Sequence, residues 1–257
     1  MTILDLQVAD QLWHGGERMA AAWMGGRRVW AVPRPLGAYA GVGPGQIPMD
    51  LRFWEASDRT MSGSTITALT NRGGAGAAFN LSGADGPVLD DGAARFAGGK
   101  ALGFSVTPDI DGVHFLIAIK PTVTGANTNK FVAPGISNGG VYYTERSLTI
   151  LDWRYYFGGS GPTVRINTPL DAWHIGEVRI TDGEAALIWD GSVRHTVAET
   201  RTGLSITGLG SPASLFQGYI GGLISVICAP GRSAAMPEPA VLLARQVLAS
   251  KYGVSLT

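Results

Sequence analysis

Trp173-His174-Ile175-Gly176-Glu177-Val178-Arg179-Ile180-Thr181 is followed by Asp182-Gly183, then Glu184-Ala185-Ala186-Leu187-Ile188-Trp189, then Asp190-Gly191, then Ser192-Val193-Arg194-His195-Thr196-Val197. Three runs rich in apolar and β-branched residues are thus punctuated by two Asp-Gly pairs. Asp-Gly supplies the positive φ angles that tight hairpin turns need, so the stretch predicts a β meander.

The same signals extend outward. His114-Phe115-Leu116-Ile117-Ala118-Ile119-Lys120 is an apolar run ended by Pro121, as expected of a buried strand. Leu148 to Phe157 is β-branched and aromatic and is closed by Gly158-Gly159. Tyr219 to Ala229 supplies a further buried strand. Strands and turns spaced this way predict an all-β, two-sheet jelly-roll sandwich rather than βαβ units. One helix closes the chain: Pro239 suits a first turn, Val241, Leu242, Val247 and Leu248 recur near helical spacing, and Lys251-Tyr252-Gly253 ends it.

Composition agrees. Charged residues make up 16% of the 257, and there are 37 glycines, which suits short strands and turns better than a helical bundle. With 20 basic and 20 acidic residues the formal charge is zero. That excludes a basic footprint for nucleic acid and a polybasic membrane anchor; a neutral partner fits better. The single cysteine, Cys228, lies in an apolar run and reads as a packed strand residue. The first residues have neither the positive nor the apolar region of a secretory signal, so assembly in a cytoplasm is expected. The longest apolar stretch, 215–229, is too interrupted to span a bilayer.

Residues 1–32 carry a small repeat. Trp13-His14-Gly15-Gly16-Glu17-Arg18-Met19 is echoed by Trp23-Met24-Gly25-Gly26-Arg27-Arg28-Val29. Gly-Gly between short apolar runs predicts small hairpins, too slight to stand alone. Trp13, Trp23 and Trp30 supply the area for a docking contact, either with a partner or with the end of the main domain. Residues 33–50 are dense in Pro and Gly and read as a linker. Residues 51–257 form the main domain.

Several phrases of that domain resemble concanavalin A-like, LamG-type jelly rolls. Leu51-Arg52-Phe53-Trp54-Glu55-Ala56-Ser57-Asp58 resembles their opening, and Leu69-Thr70-Asn71-Arg72-Gly73-Gly74 a second phrase, with Leu69 where Trp is usual. Pro87-Val88-Leu89, Phe96-Ala97-Gly98-Gly99, Ile188-Trp189-Asp190-Gly191 and Val247-Leu248-Ala249-Ser250-Lys251-Tyr252-Gly253-Val254 follow in the family's order. The N-terminal repeat is similar to short segments of tailed-phage and gene-transfer-agent structural proteins. Together these resemblances imply a virion-associated spike or fibre module. It would dock to other virion proteins through residues 1–32, form a homo-oligomer and recognise host cell-surface polysaccharide. The alternative is a purely structural decoration or cement protein.

The chemistry-bearing residues point away from an enzyme. A jelly-roll glycosidase needs paired carboxylates on one strand face. The acids Asp109, Asp111, Asp90 and Asp91 instead sit beside Pro108, Gly112 and Gly92 in turn-like settings. No Gly-x-Ser-x-Gly elbow, metal-spaced histidine pair or phosphate loop is present. Ca²⁺ is the one cofactor the resemblance implies, with Asp109, Asp111 and Asp182 as its ligand candidates. Glycan binding needs flat aromatics and planar polar groups. Alternation along 151–157 sends Leu151, Trp153, Tyr155 and Phe157 to the core and Asp152, Arg154 and Tyr156 outward, with Tyr142, Tyr143 and Arg146 as flanking candidates. The bland reading of the same residues is cross-strand packing and a surface ion pair.

Overall fold

The structure, a computed structural model, describes residues 13–14, 17–18, 21–24, 27–31, 51–55, 59–71, 80–104, 109–110, 112–122, 129–136, 139–157, 161–181, 183–199, 204–205, 208–210, 216–228 and 238–257. Its strands begin with β1 (Trp13–His14), β2 (Glu17–Arg18), β3 (Ala21–Met24), β4 (Arg27–Ala31), β5 (Leu51–Glu55), β6 (Arg59–Ser62), β7 (Thr65–Leu69) and β8 (Leu81–Ser82). Next come β9 (Val88–Asp90), β10 (Ala93–Ala97), β11 (Ala101–Phe104), β12 (Asp109–Ile110), β13 (Gly112–Pro121), β14 (Asn129–Ile136), β15 (Gly139–Ser147) and β16 (Ile150–Phe157). Then follow β17 (Thr163–Asn167), β18 (His174–Thr181), β19 (Gly183–Trp189), β20 (Ser192–Glu199), β21 (Leu204–Ser205), β22 (Gly208–Gly210) and β23 (Gln217–Cys228). Among the described residues there is one helix, α1 (Glu238–Tyr252), which follows β23.

The meander forms as expected. β18, β19 and β20 pair antiparallel, with Thr181 opposite Glu184 and Trp189 opposite Ser192. Asp190 and Gly191 have φ of 49° and 87°, the paired positive values of a type I′ turn whose twist matches its strands. This hairpin edges a large antiparallel sheet that runs β20-β19-β18-β13-β23-β10-β9-β7-β8-β11-β22. Strand β23 is its spine: it pairs with β13 along one side, and with β10 and then β5 along the other. The second sheet is β14-β15-β16-β17. The repeat near the N-terminus makes two hairpins, β1-β2 and β3-β4. The side chains of Trp13, Trp23 and Trp30 lie outside those described, as does their docking role.

The main core lies between the two sheets. Val141, Tyr143, Leu151, Trp153, Tyr155 and Ile166 from the small sheet meet Ile117, Ile119, Val178, Ile180, Leu187 and Trp189 from the large one. Trp153 and Trp189 meet edge to face at 5.1 Å, a pair worth about 1 kcal/mol beyond its buried area. Gly176 makes room for them: a Cβ there would stand 2.8 Å from the Trp153 ring.

On the other side of the large sheet lies α1, packed on β13, β18 and β23. Its buried stripe is Val241, Ala244, Leu248 and Ala249. Leu242, expected in that stripe, is 48% exposed. The apolar period was right, but its phase is carried by the small residues Ala244 and Ala249, which let the helix sit close to the sheet.

Candidate functional site

The outer face of the small sheet is set by register. Tyr142 stands opposite Arg154, Thr144 opposite Asp152, and Gly140 opposite Tyr156. On the next strand Asp152 stands opposite Arg165 and Arg154 opposite Thr163. Strand alternation therefore puts Trp153 and Tyr155, both fully buried, on one face and Asp152 and Arg154 on the other, where Asp152 is itself buried. The expected split between core and outer face holds for these residues.

Asp152 is the anchor of this face. Arg146 Nε donates to its Oδ2 at 2.6 Å, and Arg165 Nε donates to its Oδ1 at 2.9 Å. The Asp152 side chain is only 5% exposed, while those of Arg146 and Arg165 are 38% and 65% exposed. The carboxylate thus sits beneath two guanidiniums and fixes them from below. Burial pushes its carboxyl up, but the hydrogen bonds and charges of Arg165 and Arg146 outweigh that and hold it below the ordinary aspartate value. Arg146 reaches Asp152 from an irregular step in the β15–β16 register, between Glu145 and Ser147. Two guanidiniums thus flank one carboxylate, and half-buried Arg154 lies two positions along the same strand, opposite Thr163.

Two candidates need correction. Tyr143 is fully buried in the core, not on the surface. Its hydroxyl donates to the Gln217 carbonyl at 2.9 Å, and burial first, then the charges of Glu145 and Asp171, push the phenol well above its usual value. It cannot meet a sugar. Asp152 is no open acceptor, because both its oxygens are taken by arginines. The side chains of Tyr142 and Tyr156 lie outside those described.

The acidic candidates for a cation are scattered. Asp109 was expected in a turn but starts β12, paired with Ser205. Asp111 and Asp182 lie outside the described residues. Among the described residues no three His, Cys, Asp or Glu side chains cluster closely enough to hold a metal ion.

A constellation the sequence reading missed surrounds the Asp190 turn. His174 Nδ1–H donates to Asp190 Oδ2 at 2.8 Å, and Asp190 Oδ1 accepts the Ile175 N–H at 2.7 Å. Nε2 lies 3.1 Å from Thr168 Oγ1 and 2.9 Å from the Pro169 carbonyl. The residue types are those of a Thr–His–Asp relay. Here, however, Thr168 and His174 are 6% exposed, Nε2 faces a backbone carbonyl, and the ring lies against Trp189. The arrangement clamps the hairpin end to the strand beside it. The only sequence cue was a histidine at the start of one strand and an aspartate at the end of the next.

The chain has a concanavalin A-like β-sandwich fold. Of the solved structures similar to it, Trypanosoma rangeli sialidase matches with a TM-score of 0.51 at 12% identity, over 91% of this chain and 36% of the sialidase. The chain therefore spans about a third of that enzyme's length. A pentraxin from Limulus polyphemus matches with a TM-score of 0.39 at 12% identity, over 67% of this chain and 74% of the pentraxin. Domain 4 of an extracellular arabinanase from Geobacillus stearothermophilus, solved with arabinotriose, matches with a TM-score of 0.39 at 15% identity, over 63% of this chain and 80% of that domain. No protein-family model matches the sequence, and no curated protein matches it.

Proposed function

We propose that this chain is a non-catalytic carbohydrate-binding module that meets a polysaccharide with the outer face of its four-stranded sheet. The fold supports this at the level of class, because concanavalin A-like sandwiches often bind carbohydrate. The observation that carries the site is the buried Asp152 carboxylate holding Arg146 and Arg165 in place, with Arg154 two positions along the same strand. Guanidiniums fixed in this way offer N–H donors to hydroxyl oxygens without first losing side-chain entropy. The resemblance of the N-terminal repeat extends the reading to a virion-attached module. It would dock through residues 1–32, assemble as a homo-oligomer and touch host surface polysaccharide.

The test is a glycan array and whole-cell pull-down with the full chain and with Arg165→Ala, with calcium and with chelator. Retention on a surface polysaccharide that falls about tenfold in the variant supports the site. No retention of either protein under either condition overturns the proposal and favours an architectural role.

A further inference from the structure

On the helix-bearing side of the large sheet, three aromatic rings from separate elements converge. Trp173 precedes β18, Tyr219 lies in β23, and Tyr252 ends α1. The rings of Trp173 and Tyr252 are 4.5 Å apart and tilted by 36°. The rings of Trp173 and Tyr219 are 6.4 Å apart, edge to face. The backbone builds this meeting. The β13–β23 register shifts between Ala118 and Ile119, which leaves Gly221 as an extra residue, and the Tyr252 ring fills the space its Cβ would need. Tyr219 shares a rung with Arg95 and Lys120. It is pinned there by its hydroxyl, which donates to Asp90 at 2.9 Å, while Asp90 also accepts from Arg95 at 3.3 Å.

All three residues are half-buried, with the hydroxyl end of Tyr252 turned inward over Gly221. Two cations sit at the rim: Lys120 Nζ is 5.2 Å from the Tyr219 centroid and Lys251 Nζ is 5.8 Å from that of Tyr252. The Trp173 indole N–H meets no acceptor among the described residues, and the Lys120 ammonium meets a ring but no carboxylate among them. The cradle therefore combines aromatic area with two donors, one of them charged, that no acceptor among the described residues takes. Aromatic area of this kind takes the C–H face of a pyranose. Such donors suit sugar oxygens, and an ammonium suits an anionic one best.

We infer that Trp173, Tyr219, Tyr252 and Lys120 form a second carbohydrate-binding site, and that its ligand is a pyranose bearing a carboxylate, the uronate unit of an acidic polysaccharide. The inference rests on the proposed saccharide-binding role but uses the opposite side of the molecule from the β14–β17 face.

The experiment is calorimetric titration of the full chain with trigalacturonate and, in parallel, with neutral maltotriose. The variants are Trp173→Ala, Trp173→Phe, Lys120→Met and, for the other face, Arg165→Ala. The expected result is tighter binding of trigalacturonate than of maltotriose. Trp173→Ala weakens it by at least about tenfold, whereas Trp173→Phe keeps most of it. Lys120→Met removes the preference for the acidic sugar. Loss confined to Arg165→Ala overturns this second site and leaves the sheet-face reading standing. Loss confined to Trp173→Ala and Lys120→Met supports the cradle and removes the sheet face. Equal binding of both sugars overturns the acidic assignment.

Discussion

His114 Nε2 and Glu177 Oε1 lie 2.6 Å apart, and neither side chain is more than 2% exposed. Both project from the large sheet toward α1, which sends Arg245 down to the same carboxylate, Nε to Oε2 at 2.8 Å and Nη2 to Oε1 at 3.0 Å. One buried acid thus ties two strands to the helix. Removing it takes the shared acceptor from the buried His114 imidazole and the largely buried Arg245 guanidinium. Glu177→Ala is expected to cost about 3–5 kcal/mol, read as a lowered urea midpoint, and an unchanged midpoint would contradict the tie.

The same acid predicts a pH dependence. Burial pushes the Glu177 carboxyl up, but hydrogen bonds from His114 and Arg245 outweigh it, and the folded value lies below the ordinary one. Its contribution is therefore complete above the ordinary glutamate pKa and is lost as pH falls below that toward the depressed folded value. Glu177→Gln should flatten this acid limb. A wild-type limb of equal steepness in the variant would assign the dependence to other groups.

Gly176 faces the Trp153 and Trp189 indoles. Gly176→Ala should overpack the core by about 1–3 kcal/mol, seen as a lower melting temperature and a changed near-ultraviolet tryptophan signal.

At the β19–β20 turn, Asp190 combines a φ of 49° with two accepted hydrogen bonds. Asp190→Asn tolerates that backbone and keeps one acceptor, so it should cost about 1 kcal/mol; Asp190→Ala loses both and should cost about 2–4 kcal/mol. Equal losses in thermal unfolding would show that the carboxylate does not hold the turn.

For the sheet face, Arg154→Ala and Tyr156→Ala should weaken cell or polysaccharide binding while leaving unfolding unchanged. Normal adsorption by both variants would remove these residues from the site.

Much of this was legible because it is local. The two Asp-Gly pairs announce their hairpins within four residues, and alternation assigns Leu151, Trp153 and Tyr155 inward with no knowledge of the partner sheet. Tyr143 was misplaced although the same cue was present: it alternates in phase with core residue Val141, but neighbouring tyrosines suggested a surface cluster. The burial of Asp152 was hidden because Arg165 arrives from the next strand, 13 residues away. The Glu177 tie spans separations of 63 and 68 residues, and the aromatic cradle joins β23 to α1 through a bulge at a glycine. Such meetings follow from sheet order and register, which single-sequence periodicity does not contain.

The Glu177 tie also bears on how the molecule opens. A helix of 15 residues is marginal in water when alone, and its end turns would ordinarily exchange their amide protons quickly. Arg245 lies near the middle of α1 and is joined through Glu177 to the central strands. Lifting the helix would leave the acid with only His114 beside it. Amide protons around Arg245 should therefore exchange on the slow timescale of β13 and β18, making the C-terminal helix part of the last unit to open.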